Sequence, residues 1–236
     1  MTGVKGDYVG FGMSSSNPIQ YYVTHYYQSK IFVFDENWNY VLNKSSFLNV
    51  NYMIPVGNYF YISGRYNIWK TDKQLNVLFQ YNSNGSPPHY VGLYHNSTNN
   101  LIYVAPDNFQ MIHVFNFNLT LNDSISITPY QPWSINENNN ELYVGTTNGT
   151  VLVILNKQII KQFNGCNKQK VLLFSILFDD LNNMATTCDN KQLHLYNTAG
   201  SYLNKSIPTA NDPRYIGLDS KSRLVVVTST QISLYN

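Results

Sequence analysis

The chain has 236 residues, of which only 12% are charged, about half the ~25% usual for soluble domains. It contains three Glu and four Ala against 20 Tyr, 12 Phe and 33 Asn, a balance that favours strands over helices and excludes a helical bundle, a coiled coil and a helix-rich α/β enzyme. The 15 basic and 13 acidic residues are scattered to a net charge of +2, without the dense cationic patch that phosphate binding needs, so no nucleic acid is expected as a partner.

The chain opens on Met1-Thr-Gly-Val-Lys-Gly-Asp7, which carries no hydrophobic stretch of the signal-peptide kind. Six similar units follow. The first holds Tyr8-Val9-Gly10, Tyr22-Val23-Thr24 and Ile31-Phe-Val-Phe-Asp35; the second holds Tyr61-Ile62-Ser63 and Ile68-Trp-Lys-Thr-Asp72. The third shows four strand-length segments, Tyr90–Tyr94, Leu101–Ala105, Met111–Phe115 and Ser124–Thr128. The fourth holds Tyr143-Val144-Gly145 and Val151–Leu155, and the fifth Ala185-Thr186-Thr187 and Leu193–Asn197. The longest apolar run, Val171 to Phe178, falls in the fifth unit and is far short of the ~20 residues a spanning helix needs, so no membrane insertion is expected. The sixth unit offers Tyr215–Leu218, Leu224–Thr228 and Ile232–Tyr235, and there the chain ends.

Two anchors keep the same period through all six units. The large-aliphatic-small triplets, with Val226-Val227-Thr228 as the last copy, are spaced by 39, 42, 40, 42 and 41 residues. The aliphatic segments that follow them are spaced by 37, 44, 39, 42 and 39. A period near 40 with four short strands per unit, divided by Asn, Gly, Asp and Pro turns, predicts an all-β fold. The expected architecture is a single domain over 1–236, a six-bladed β-propeller of four-stranded antiparallel blades. With strands lettered A to D from the axis outward, the last unit lacks a D strand. The orphan segment Thr2–Lys5 is placed to supply it, so that the N-terminal strand completes the last blade and closes the ring.

Within that architecture the chain resembles the NHL-like group of propellers. Asp212 to Thr228 is similar to the NHL opening of Pro, Gly and Asp before a strand, and Leu101 to Phe115 is similar to its second half. The Asn-Arg pair that commonly precedes strand C in that family is replaced by Gln110-Met111.

In an up-and-down blade the D-to-A and B-to-C connections share one face of the disc, the channel-mouth face, where a ligand site is expected. Aligning the A-strand starts on Tyr8-Val9-Gly10, Tyr90-Val91-Gly92 and Tyr215-Ile216-Gly217 puts Asp7, Tyr52, His89, Trp133, Leu173 and Arg214 at the mouth. The B-to-C connections add His25, Arg65, Asp107, Asn148 and Asp189. The ligand-binding candidates are Tyr52, Arg65, His89, Asp107, Trp133 and Arg214: aromatic faces, two guanidinium groups and a few acceptors, which suit sugars, peptides or other polar ligands.

His113 and His194 occupy second positions of C strands and are expected in the core. Some similar propellers hold Ca or Zn in the channel, but zinc needs three convergent ligands and calcium six or more oxygens, so no metal and no cofactor is expected. Propeller lactonases, similar only in fold, use a carboxylate and an Asn at the channel. Glu137, the sole Glu on an A strand, is expected at the far face instead. No Gly-x-Ser-x-Gly elbow or Walker loop is present, and no catalytic residue is assigned. Gly10 and Gly12 read as turn residues, and Asp179-Asp180 as a solvated turn pair.

Cys166 enters the fifth blade and Cys188 ends its B strand, both on the mouth face, so a disulfide between them is expected. A bridge points to an extracellular or surface-associated protein; a native Met1 with free thiols points to a cytoplasmic one. The function expected is a non-catalytic module recognising a protein, peptide or glycan at the mouth. The alternatives are a metal-dependent lactonase or lyase, and a structural or viral surface component.

Overall fold

A computed structural model describes residues 8–14, 18–83, 88–167, 171–197, 199–209 and 211–235. They form six antiparallel sheets around a common axis, with no helix among the described residues. Blade one is β1 (Tyr8–Met13), β2 (Gln20–His25), β3 (Lys30–Asp35) and β4 (Tyr40–Lys44); blade two is β5 (Val50–Val56), β6 (Tyr59–Gly64), β7 (Asn67–Asp72) and β8 (Val77–Asn82). Blade three is β9 (Tyr90–Asn96), β10 (Leu101–Pro106), β11 (Met111–Phe115) and β12 (Leu121–Ser126); blade four is β13 (Pro132–Asn138), β14 (Glu141–Thr146), β15 (Thr150–Leu155) and β16 (Gln158–Asn164). Blade five is β17 (Leu173–Phe178), β18 (Met184–Cys188), β19 (Gln192–Tyr196) and β20 (Tyr202–Pro208), and blade six is β21 (Pro213–Leu218), β22 (Leu224–Thr228) and β23 (Ile232–Tyr235). The segment Thr2–Lys5, expected to complete blade six, lies outside the described residues.

Both repeat anchors fall on the strands they predict, B and C, in every blade. Three expectations need correction. The D strand of blade three begins at Leu121 rather than Ser124. In blade six the B-strand repeat lies one residue earlier than the sequence alignment has it: Val227 faces Tyr215, as Thr24 faces Gly10 and Ala105 faces Gly92. Gly10 and Gly12 lie inside β1, not in a turn.

The core is six apolar interfaces between neighbouring blades. Blades one and two meet through Tyr22, Phe47, Met53, Phe60 and Trp69, and blades three and four through Ile112, Val114, Ile125, Ile135 and Leu152. Phe11, Tyr21, Val23 and Trp38 of blade one pack on Val225 and Val227 of blade six. The Tyr21 hydroxyl also hydrogen-bonds Ser220 Oγ at 2.7 Å, so the first and last blades are joined.

A recurring clasp closes the far face. In Asp35–Asn39, Asp72–Asn76 and Asp179–Asn183 the first residue's Oδ1 accepts from the backbone N–H groups two and four positions on, and its Oδ2 from the last Asn side chain. Asp179 is therefore part of a clasp rather than simply solvated. Asp219–Arg223 uses the Arg223 guanidinium in place of the amide. The fourth residue of each takes positive φ, as at Trp38 (64°) and Leu75 (63°). Burial of Trp38 and Leu75 offsets the strain of a left-handed backbone at those two positions.

The mouth face carries a Cys166–Cys188 disulfide with Cα atoms 5.9 Å apart. It ties the connection entering blade five to the end of β18, as the sequence predicts.

Three outcomes follow from this packing. Leu75→Ala empties a site that is 6% exposed and is expected to cost about 2–4 kcal/mol in denaturant unfolding; an unchanged midpoint contradicts the clasp account. The amides of Asn39 and Asn183 hold the Asp35 and Asp179 carboxyls below the usual range. Partial burial pushes Asp72 the other way but is outweighed by its hydrogen bonds to Asn76 and Gln74. A depressed folded pKa contributes stability above the unfolded value and loses it as pH falls through the folded value, so stability should decline below about pH 4. Asp35→Asn with Asp72→Asn should keep the clasps, as Asn116 does in blade three, and shrink that decline; an unaltered Tm-against-pH profile contradicts this. Finally, alkylation of unreduced, denatured protein should leave both cysteines unlabelled, and reduction should cost ~3 kcal/mol for a loop of 22 residues.

Candidate functional site

Each A strand starts with a bulge in which two residues oppose one on strand B. The extra residue is turned toward the axis. In blades two to six it is Asn51, Val91, Trp133, Phe174 and Arg214, and these five side chains with Tyr52 line one axial cavity at the mouth. The cavity has only about 30 Å³, room for water but not for a sugar ring or a peptide side chain.

The axis is sealed by specific contacts. The Trp133 ring meets Phe174 edge-on at 6.0 Å between centroids, and the Arg214 guanidinium lies 4.2 Å over the Phe174 ring. Arg214 has no carboxylate partner among the described residues, and its Nε is buried without a hydrogen bond. Asn51 Nδ2 donates to the Tyr90 carbonyl at 2.7 Å while its own carbonyl accepts from Thr24 Oγ1 at 2.6 Å, so Asn51 links blades one, two and three. One layer down, the residues after the bulges are Gly10, Tyr52, Gly92, Ser134, Ser175 and Tyr215. Tyr52 and Tyr215 flank blade one, and their rings meet at 5.0 Å across the space that Gly10 leaves empty. Burial, with the neighbouring Tyr215 hydroxyl, pushes the Tyr52 phenol far above its usual range.

A second feature of the same face is wider. The B-to-C and D-to-A connections of blades one to three enclose a depression of about 560 Å³ lined by Tyr26, Tyr27, Asn49, Arg65, Tyr66, His89 and Asn108. His89 Nδ1 is 2.7 Å from Asp107 Oδ2, and its Nε2 has no hydrogen-bond partner among the described residues. The Tyr26 ring stands edge-on to His89 at 5.5 Å. Arg65 lies 5.0 Å over the Tyr66 ring and is exposed, with no carboxylate partner among the described residues. Burial raises the Tyr26 phenol, the Arg65 charge opposes that rise, and Tyr27, Tyr66 and Asp107 add to it.

The six candidates thus separate into two groups on one face. Tyr52, Trp133 and Arg214 line the sealed axis; Arg65 and His89, with Asp107 behind, belong to the open depression. Leu173 faces the interface between blades four and five, and its neighbour Phe174 takes the axial place. Asp7 lies outside the described residues. Asn148 serves its own turn by accepting from Thr146 Oγ1, and His25 is buried at the end of β2. Tyr26, Tyr66, Asn51 and Phe174 were missed from the sequence. The bulge that selects Asn51 and Phe174 has no residue signature, whereas the Tyr26-Tyr27 and Arg65-Tyr66 pairs in equivalent connections were visible. Burial lowers the pKa of both His113 and His194; His194 is fully buried as expected, whereas His113 is only half-buried. Among the described residues no three His, Cys, Asp or Glu side chains come together.

No family model and no curated protein matches the chain. Among the solved structures that do, a streptogramin B lyase is similar over 100% of this chain and 85% of its own, with a TM-score of 0.72 and 14% sequence identity. At that identity the likeness is one of fold: both chains are propellers.

Gly10→Ala tests the axial packing. A Cβ there would stand 2.6 Å from the Asn51 carbonyl and 3.1 Å from Tyr52 Cα, both backbone atoms of blade two. The expected cost is about 1–3 kcal/mol in denaturant unfolding, and an unchanged midpoint contradicts the close approach of β1 and β5.

Proposed function

We propose that this chain is a non-catalytic binding propeller that recognises a protein, peptide or glycan through the depression over blades one to three. The observation that carries the proposal is the convergence of an exposed Arg65 with no carboxylate partner among the described residues, the His89–Asp107 pair and the Tyr26, Tyr27 and Tyr66 rings on one open surface. The rings offer flat faces to a sugar or an aromatic side chain, and Arg65 offers a fork of donors to a carboxylate or other acceptor. The sealed axis supports a surface site over a channel site, because a ligand there has no room to enter. The NHL-like resemblance of residues 101–115 and 212–228, the absence of nucleic acid and membrane partners, and a place outside the cell or on its surface belong to the same reading. The Cys166–Cys188 bridge supports the last of these.

A second reading, a propeller enzyme, is favoured by one geometry. Asp107 fixes one nitrogen of His89, which is how a general base is oriented.

A glycan array and a peptide library test the first reading. Arg65→Ala is expected to weaken whatever binds by about tenfold or more, the weight of a charge-assisted hydrogen bond, and Tyr66→Ala to weaken it as well. Retention of full affinity by both variants contradicts the proposal. Stoichiometric Ca or Zn in purified protein, lost on His89→Ala or Asp107→Ala, would replace it with the enzyme reading.

A further inference from the structure

The C-to-D turns on the far face differ in one respect that leaves a hole. In blades one, two and three the turn has five residues, and its fourth residue drives Trp38, Leu75 or Leu119 into the interface with the preceding blade. These side chains are 5%, 6% and 5% exposed, so each stoppers its interface. In blade five the fourth residue is Gly200, and the Phe163 ring of blade four fills the place instead, 3.0 Å from where a Cβ on Gly200 would be. Blade four alone among these turns is a two-residue hairpin, Asn156-Lys157, with both residues at positive φ. It carries no stopper. The interface it should close, between blades three and four, contains a cavity of about 290 Å³ at that end.

The cavity has two kinds of wall. Its inner wall is aliphatic, from Val114, Ile125, Leu142 and Ile154, with Tyr103 beside them, and Asn, Thr and charged side chains make up the rest. Glu137 also lines it. One Glu137 oxygen accepts from Asn96 Nδ2 at 2.5 Å, and no cation is paired with this carboxylate among the described residues. Lys157 and Asp123 form an ion pair across the lip, from the blade-four turn to β12 of blade three. Two carboxylates against one ammonium leave the lining with one net negative charge, at Glu137.

We propose that this cavity binds a small organic ammonium ion, an alkyl or arylalkyl amine. The ammonium donates to Glu137, and the hydrocarbon body takes the place of the stopper side chain that blade four lacks. The aliphatic walls bury the body, and the Tyr103 ring offers its face to the cation. The site lies on the opposite side of the disc from the depression around Arg65 and does not depend on it.

Titration calorimetry with hexylamine and phenethylamine, set against hexanol and hexanoate, tests the proposal on the whole protein. The amines are expected to bind, the alcohol and the acid at least about tenfold more weakly, and Glu137→Gln to remove the preference for amine over alcohol. Two variants fill the hole: residues 72–76 transplanted in place of 156–157, and Ile154→Phe. Whichever folds should raise Tm and abolish amine binding. Equal binding of amine and alcohol, no amine binding, or amine binding that survives in a folded filled variant would overturn the proposal.

Discussion

No blade of this protein has a core of its own. Each is a single twisted sheet with two apolar faces, and only its neighbours can cover them. The strand pattern shows the consequence. β6 and β7 are buried almost throughout, whereas β4 and β8, at the outer rim, are exposed along nearly their whole length. The six apolar clusters are the six places where one blade meets the next, so the stability of any blade is held by the ring.

That dependence decides what the two faces can do. Packing the A strands tightly around an axis brings β1 within a carbonyl's reach of β5, and it requires glycine at Gly10 and Gly92. It also turns the bulged residues inward, where Trp133, Phe174 and Arg214 lock against one another. The axis is thereby used for structure, and recognition is left to the connections around it. On the far face a buried side chain stoppers the interfaces that blades one, two, three and five make with the blade before them. Where a turn is too short to supply one, at Asn156-Lys157, a cavity remains.

Much of the fold was legible in the sequence because propeller blades repeat their burial pattern. The Tyr-aliphatic-small triplets mark B strands, where the small residue lies opposite the start of strand A and the large one packs between blades. Blade six misled, since Tyr215-Ile216-Gly217 imitates Tyr90-Val91-Gly92 in letters but stands two residues out of register, with Tyr215 in the place of Gly92. A one-residue bulge leaves no mark in composition, which is why the sequence points to Leu173 where the structure has Phe174 at the axis. His89 and Arg65 were legible because connection residues on one face are set by strand order alone. The far-face cavity was hidden for a different reason: its signal is a missing element, the Asp-x-x-x-Asn spacing of residues 35–39 and 72–76 that blade four does not have.

Five of the six interfaces join blades that are consecutive in the chain. The sixth joins the two ends, through Phe11, Tyr21 and Trp38 against Val225 and Val227, and among the described residues it is secured by that packing and the Tyr21–Ser220 hydrogen bonds. Native-state amide exchange measures its strength directly. In a closed ring the amides of β1 and β21 exchange as slowly as those of β9 and β13, and all are released in one cooperative unfolding. Exchange of β1 and β21 that is orders of magnitude faster than that of β9 and β13, at low denaturant, would show an open ring and contradict this account.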